Sequence, residues 1–216
     1  FTAIADEWWS ADGKFKPLHK FNPCRISYIK EQLVQYFNIN KIDANSSTSL
    51  KNIKILDVGC GGGLLCEPFS RLGADVVGID AGAKNINVAK IHSEENGLQI
   101  DYRLQDVEDL ATMEEKFDVV LAMEVIEHVL DVEKFLIAVK NCLKPNGIMF
   151  VATINRSVKS YCNAILGAEY LLRWLPIGTH SWKKFLKPSE INQISQDNGL
   201  KLVDLTGFSY NLLKDE

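Results

Sequence analysis

The chain has 216 residues, 46 % of them hydrophobic and 24 % charged, with 24 basic against 28 acidic side chains and a formal charge of -4. This is the composition of one globular domain with enough chain to bury a substantial core. It excludes a disordered chain and a broadly basic nucleic-acid binder. Five cysteines (Cys24, Cys60, Cys66, Cys142, Cys162) form no C-x-x-C pair and no zinc spacing, so they read as reduced thiols of a cytosolic compartment. No window approaches 18 uninterrupted apolar residues, and Phe1-Thr2-Ala3 opens no secretory signal. A start at Phe and a stop at Glu216 lead us to expect that the natural termini lie further out.

Residues 1–50 read as a leader and linker. An aromatic-rich start precedes a helix over 23–37, where Ile26, Ile29, Leu33, Tyr36 and Phe37 recur at helical spacing, and the polar stretch 38–52 follows. Residues 51–155 alternate short β-branched runs with helical segments, the pattern of a doubly wound, mostly parallel α/β sheet of Rossmann-like type. Strands are expected at 53–58, 74–79, 99–104, 117–123 and 147–153, and helices at 64–71, 83–95 and 132–142. Residues 156–187 break the rhythm as a helical insertion after the fifth strand. A helix at 188–198 and a strand at 200–207 complete the single domain.

The run Asp57-Val58-Gly59-Cys60-Gly61-Gly62-Gly63 lies where the first strand meets a helix. Glycines 59, 61, 62 and 63 let the chain turn sharply and a ligand approach the backbone, and a following helix offers free amides. A diphosphate or a carboxylate would suit that loop equally. Asp80, 21 residues after Gly59 and at the end of the second strand, is placed to accept hydrogen bonds from ribose hydroxyls, and Asp106 after the third strand to meet an adenine amino group. With Asp57, these residues resemble the class I S-adenosylmethionine (SAM)-dependent methyltransferases.

The fourth strand runs out into Met123-Glu124-Val125-Ile126-Glu127-His128, beyond the carboxyl edge where open α/β sheets bind ligands. If a helical turn starts there, Glu124, Glu127 and His128 share one face. They then form a candidate site for Mg²⁺ or Zn²⁺ that would steady a phenolate, or else His128 serves as general base. Met123 lines the adenosine pocket, and Asn155 past the fifth strand is placed to orient a ring.

Further motifs narrow the reading: Trp8-Trp9, Phe15-Lys16-Pro17-Leu18-His19, Asn22-Pro23-Cys24-Arg25, Thr153-Ile154-Asn155-Arg156, Gly167-Ala168-Glu169-Tyr170 and Gly178-Thr179-His180. From residue 1 to about 210 the chain closely resembles the ubiquinone-biosynthesis O-methyltransferase family. The resemblance implies methylation of phenolic hydroxyls on polyprenylated ring intermediates at both O-methylation steps. It also implies Arg25, Gly59, Asp80 and Met123 as SAM contacts, and Glu124, Glu127 and His128 as a metal site like that of eukaryotic relatives. A guanidinium at Arg25 would pair with the SAM carboxylate. Trp8, Trp9 and Phe15 pack the leader or roof the pocket, and His19 and His180 are spare bases.

Residues 156–187 carry six basic groups against Glu169, a local charge of +5 that leaves the remainder at -9, with Trp174 and several leucines among them. Such a mixture suits a helix lying in a membrane interface, or a lid buried against the sheet. We therefore expect a cytoplasmic protein peripherally bound to the inner or plasma membrane, with the lipid substrate and other ubiquinone-biosynthesis proteins as partners and no nucleic acid. Two rivals are a nicotinamide-dependent oxidoreductase, on the glycine loop and Asp80, and a non-catalytic SAM-binding subunit of a membrane-associated complex.

Overall fold

The structure, a computed structural model, describes residues 2–10, 12–13, 15–156 and 185–208. The aliphatic and β-branched runs form β1 (Lys54–Val58), β2 (Asp75–Asp80), β3 (Asp101–Leu104), β4 (Phe117–Met123) and β5 (Leu143–Ala152). Every pairing among them is parallel, in the order β3-β2-β1-β4-β5. Around the sheet lie α1 (Lys16–Tyr36), α2 (Lys41–Ala44), α3 (Cys66–Arg71), α4 (Ala83–Glu95), α5 (Val107–Leu110), α6 (Val132–Asn141) and α7 (Pro188–Asp197), preceded by a 3-10 helix, Thr2–Glu7.

Alternating side chains on each strand build two cores. Ile55, Val76, Val119 and Leu121 pack with Ile29 and Leu33 of α1, Phe69 of α3 and Ile86 of α4. Leu56, Val58, Val77, Ile79, Val120 and Ala122 pack on the opposite face with Leu110 of α5 and Phe135, Leu136 and Val139 of α6. From β1 the chain moves outward through β2 and β3, then returns to β4 on the other side of β1. That reversal opens a crevice at the carboxyl ends of β1 and β4, where this class of sheet receives ligands.

Several boundaries depart from expectation for identifiable reasons. Helix α1 begins at Lys16 rather than at Pro23, because Pro17 occupies its first turn while Pro23 is carried inside it. Helix α3 starts at Cys66, later than expected, and the amide of Glu67 closes back on the carbonyl of Gly63. The linker contains the short α2. Strand β5 starts at Leu143 and absorbs Pro145-Asn146-Gly147 as a bulge, since its register against β4 shifts between Phe117 and Val119 and Asn146 takes φ +62°.

The strand expected at 200–207 is absent: residues 200–208 form no ladder. The segment is held by side chains instead, Asp204 accepting from the Tyr28 hydroxyl at 2.7 Å and from Gln32, with Phe208 edge-on to Phe21 and Tyr28. Alternating residues need a strand edge to pair with before they become a strand. The expected insertion lies outside the described residues except at its ends, where Asn155 bridges in parallel to Leu186 and Arg156 pairs with Glu190. No helix among the described residues is long and apolar enough to cross a membrane.

Candidate active site

The stripe of α1 that faces the sheet runs Leu33, Ile29, Arg25, Asn22, passing from apolar to polar as it nears the glycine loop. Arg25 is 4 % exposed, its Nη2 donates to Asn22 at 3.1 Å, and its Nε has no partner among the described residues. Burial lowers its pKa, while the charges of Glu124 and Asp57 oppose that shift. A buried guanidinium stays charged. It is therefore a cation presented to the crevice with hydrogen-bonding capacity left over.

The glycine loop is crowded. A Cβ at Gly59 (φ +71°) would stand 2.8 Å from Val125, and one at Gly61 (φ +54°) would stand 2.5 Å from the Trp8 ring. A Cβ at Gly62 would meet Trp8 as well, and one at Gly63 the Tyr102 hydroxyl. The leader thus packs its indole directly on Gly61 and Gly62. Further bonds hold it there. Trp9 Nε1 donates to the Gly62 carbonyl at 2.9 Å, Asn22 Nδ2 to the Leu64 carbonyl at 2.7 Å, and His19 Nε2 meets the Trp8 carbonyl at 2.8 Å. His19, a spare base in the sequence, is a fastener of the leader, and His180 lies outside the described residues.

Asp80 ends β2 beside that loop. Its Oδ2 accepts from the Gly61 amide at 3.0 Å, and its Oδ1 accepts from the Gly82 amide at 2.7 Å and from Asn85 Nδ2 at 3.0 Å. Asp106 sits at the start of α5, exposed and without a side-chain capping bond. Asp57 is 3 % exposed beneath the loop, accepts from the Cys66 thiol, and is pushed up to about 7 by burial, with Cys66 and Arg25 opposing.

The segment after β4 does not make the expected helical turn. Met123 ends the strand, partly buried, and Glu124 takes φ +58° with its amide donating to the Ala152 carbonyl at 2.9 Å. A left-handed glutamate costs about 1–2 kcal/mol, the kind of strain that gathers at functional sites. Glu127 is 5 % exposed, accepts from the Thr153 hydroxyl at 3.0 Å, and is pushed up to about 8, first by burial and then by Glu124, with which it also shares a hydrogen bond.

His128, its neighbour in the turn, is exposed. The helical turn expected through Glu124, Glu127 and His128 is thus replaced by a tighter one, in which the His128 amide donates to the Val125 carbonyl at 2.9 Å. Among the described residues no group of three such side chains is arranged to hold a metal ion, and Glu124 and Glu127 lie together as a carboxyl pair. Asn155 is exposed past β5, its backbone engaged with Leu186.

A methyltransferase-domain family model matches residues 30–205. A ubiquinone biosynthesis O-methyltransferase of Pelagibacter ubique is 56 % identical over 213 residues, 99 % of this chain and 87 % of that one. The chain belongs to the ubiquinone biosynthesis O-methyltransferases. A second relative of the same name, from Bartonella tribocorum, is 55 % identical over 100 % of this chain and 86 % of its own. Among solved structures, a SAM-dependent methyltransferase of Clostridium acetobutylicum has the same fold (TM-score 0.53, 22 % identity, 77 % of this chain and 59 % of that one). So has the plantazolicin methyltransferase BpumL in complex with SAH (TM-score 0.56, 20 % identity, 92 % and 74 %).

The protein is accordingly a SAM-dependent O-methyltransferase, and the nicotinamide and non-catalytic readings have no support.

Two residues bonded to the candidate site residues are not singled out by the sequence, Asn85 on Asp80 and Thr153 on Glu127. Asn85 is 4 % exposed, and its position five residues past Asp80, in the first turn of α4, was the available signal. Thr153 stood in a quoted motif, but its bond to Glu127 needed β5 laid beside β4.

Proposed function

We propose that the enzyme transfers the SAM methyl group to phenolic hydroxyls of polyprenylated ubiquinone precursors, at both O-methylation steps. What carries this reading is the buried, incompletely bonded Arg25 facing an acidic crevice, in a chain 56 % identical to a protein of that name. Arg25 takes the SAM carboxylate, Gly59 and Gly61 shape the loop, and Asp80 turns towards the ribose. Asp106 meets the adenine amino group, and Met123 lines its pocket.

In the reaction the phenol proton leaves to the Glu124–Glu127 pair, the phenolate oxygen forms a bond to the methyl carbon, and the carbon–sulfur bond breaks. The sulfonium charge vanishes as a neutral thioether forms. A carboxyl held near 8 is better matched to a phenol than an ordinary glutamate. Alignment in a crevice shielded from water supplies the rest of the acceleration. Asn155 orients the ring.

The test is methyl transfer from SAM to a short-chain polyprenyl catechol and to the corresponding demethylubiquinol. Product from both is expected. Product from neither, with SAM bound, overturns the reading. The basic, Trp- and Leu-bearing 156–187 segment supports a further part of it, docking of the cytoplasmic enzyme on the membrane that holds its substrate and the neighbouring biosynthetic proteins. Flotation with anionic vesicles, and none with neutral ones, is the expected result.

A further inference from the structure

We propose that Trp8 and Asn85 are positioning residues for the cofactor, a relay through which the docked leader sets the orientation of Asp80. Trp8 is 8 % exposed, and its indole lies on Gly61 and Gly62. Its Nε1 donates to Asn85 Oδ1 at 3.0 Å, and Asn85 Nδ2 donates to Asp80 Oδ1 at 3.0 Å. Both ends of the Asn85 amide are thus committed, which fixes its flip state and leaves its carboxamide no freedom to release Asp80 while Trp8 is seated.

Phe15, at the start of α1, stacks on Trp8 with ring centroids 3.8 Å apart and holds the indole flat against the loop. Asp80 also accepts from the Gly61 amide, one of the two residues beneath the indole, so ring, loop, amide and carboxylate close into one circuit. An aspartate already held by three donors enters the complex preorganised, and such preorganisation appears as affinity. The leader is thereby a cofactor-affinity element as well as a wall of the domain. This inference rests on the reading of Asp80 as a SAM-binding residue.

The experiment is calorimetric titration of SAM into the full chain, comparing wild type with Trp8→Phe, Asn85→Ala, the double variant and Asp80→Ala. Trp8→Phe keeps a flat ring on Phe15 and over Gly62 while removing the indole donor together with the benzo edge over Gly61, and Asn85→Ala cuts the bond while leaving the whole indole in place. Losing one neutral hydrogen bond corresponds to a rise in Kd of about 3- to 10-fold, and Asn85→Ala is expected to cost about 10-fold or more. The double variant is expected to match Asn85→Ala alone, because both changes cut the same relay. In turnover, the loss falls on KM for SAM more than on kcat.

Wild-type Kd in Trp8→Phe, or a double variant whose effect is the product of the single ones, overturns the relay. So does a lowered melting temperature with no change in Kd, the mark of a purely structural contact. If Asp80→Ala alone keeps wild-type affinity, the reading of Asp80 fails and the relay with it. If Asp80→Ala loses SAM while the other variants do not, the relay alone fails.

Discussion

The thiol of Cys66 donates to Oδ2 of Asp57 across 3.2 Å, with both side chains sealed beneath the glycine loop. One thiol and the charge of Arg25 do not offset the desolvation of a carboxylate, and Asp57 is pushed up to about 7. The unfolded chain releases that proton near pH 4. Between the two values the folded state binds the extra proton, so stability falls as pH rises through that window. Glu127, at about 8, extends the fall in the same direction. The ligand-free protein should melt at a higher temperature at pH 5.5 than at pH 8. Asp57→Asn, which still offers Cys66 an acceptor, should raise the pH 8 value and flatten the slope. A slope unchanged in that variant would place the titration elsewhere.

Gly61→Ala should uncouple the leader. The new methyl would stand 2.5 Å from the Trp8 ring at a backbone φ of +54°, so the indole must leave its seat in addition to the left-handed cost of about 1–2 kcal/mol. Gly97→Ala is the matched control, at φ +66° with nothing within 4 Å of the added carbon. Both should lower the melting temperature, Gly61→Ala by more. Only Gly61→Ala should weaken SAM binding, by more than about 10-fold on the affinity scale of two lost neutral bonds. Equal behaviour of the two alanines in calorimetry would remove Trp8 from the account of the loop.

These two loops show what a sequence can and cannot disclose. Parallel strands buried on both faces are near-continuous aliphatic runs, so β1, β2 and β4 were legible to within a residue, and Ala83–Glu95 was placed at its observed bounds. The glycines were equally legible as a tight turn. What fills the space above them was not, because Trp8 reaches Gly61 across 53 residues and nothing local encodes that contact. The Glu124 segment failed for the opposite reason. Its spacing fits a helix, yet the chain leaves β4 through a left-handed residue and the periodic argument no longer applies. Residues 200–207 carry strand-like alternation, but pairing depends on a neighbour that alternation does not specify.

Arg25→Met separates stability from binding by sign. In the free protein the methionine removes a buried guanidinium whose Nε is unpartnered, so the melting temperature at pH 6 should hold or rise. The same change removes the partner of the SAM carboxylate, where a charge-assisted bond contributes about 1.5–3 kcal/mol, and Kd should rise about 10- to 100-fold. Arg25→Lys keeps the charge without the fork and should fall between. A methionine variant that binds SAM as wild type does would remove Arg25 from the site.

Glu127→Gln and His128→Gln divide the two candidate bases. Glu127 is buried against Thr153 and shares a hydrogen bond with Glu124, and that pair must hold a proton until the pH approaches about 8. His128, one residue on, faces solvent. If the pair accepts the phenol proton, kcat should climb with pH towards 8 as its second carboxyl ionises. Glu127→Gln should then erase that climb and lower kcat by about 10²-fold or more, the usual contribution of a positioned base. His128→Gln should leave the shape of the profile intact. A climb that instead disappears with His128, and survives in Glu127→Gln, would move the proton to the imidazole and return Glu127 to a purely structural part.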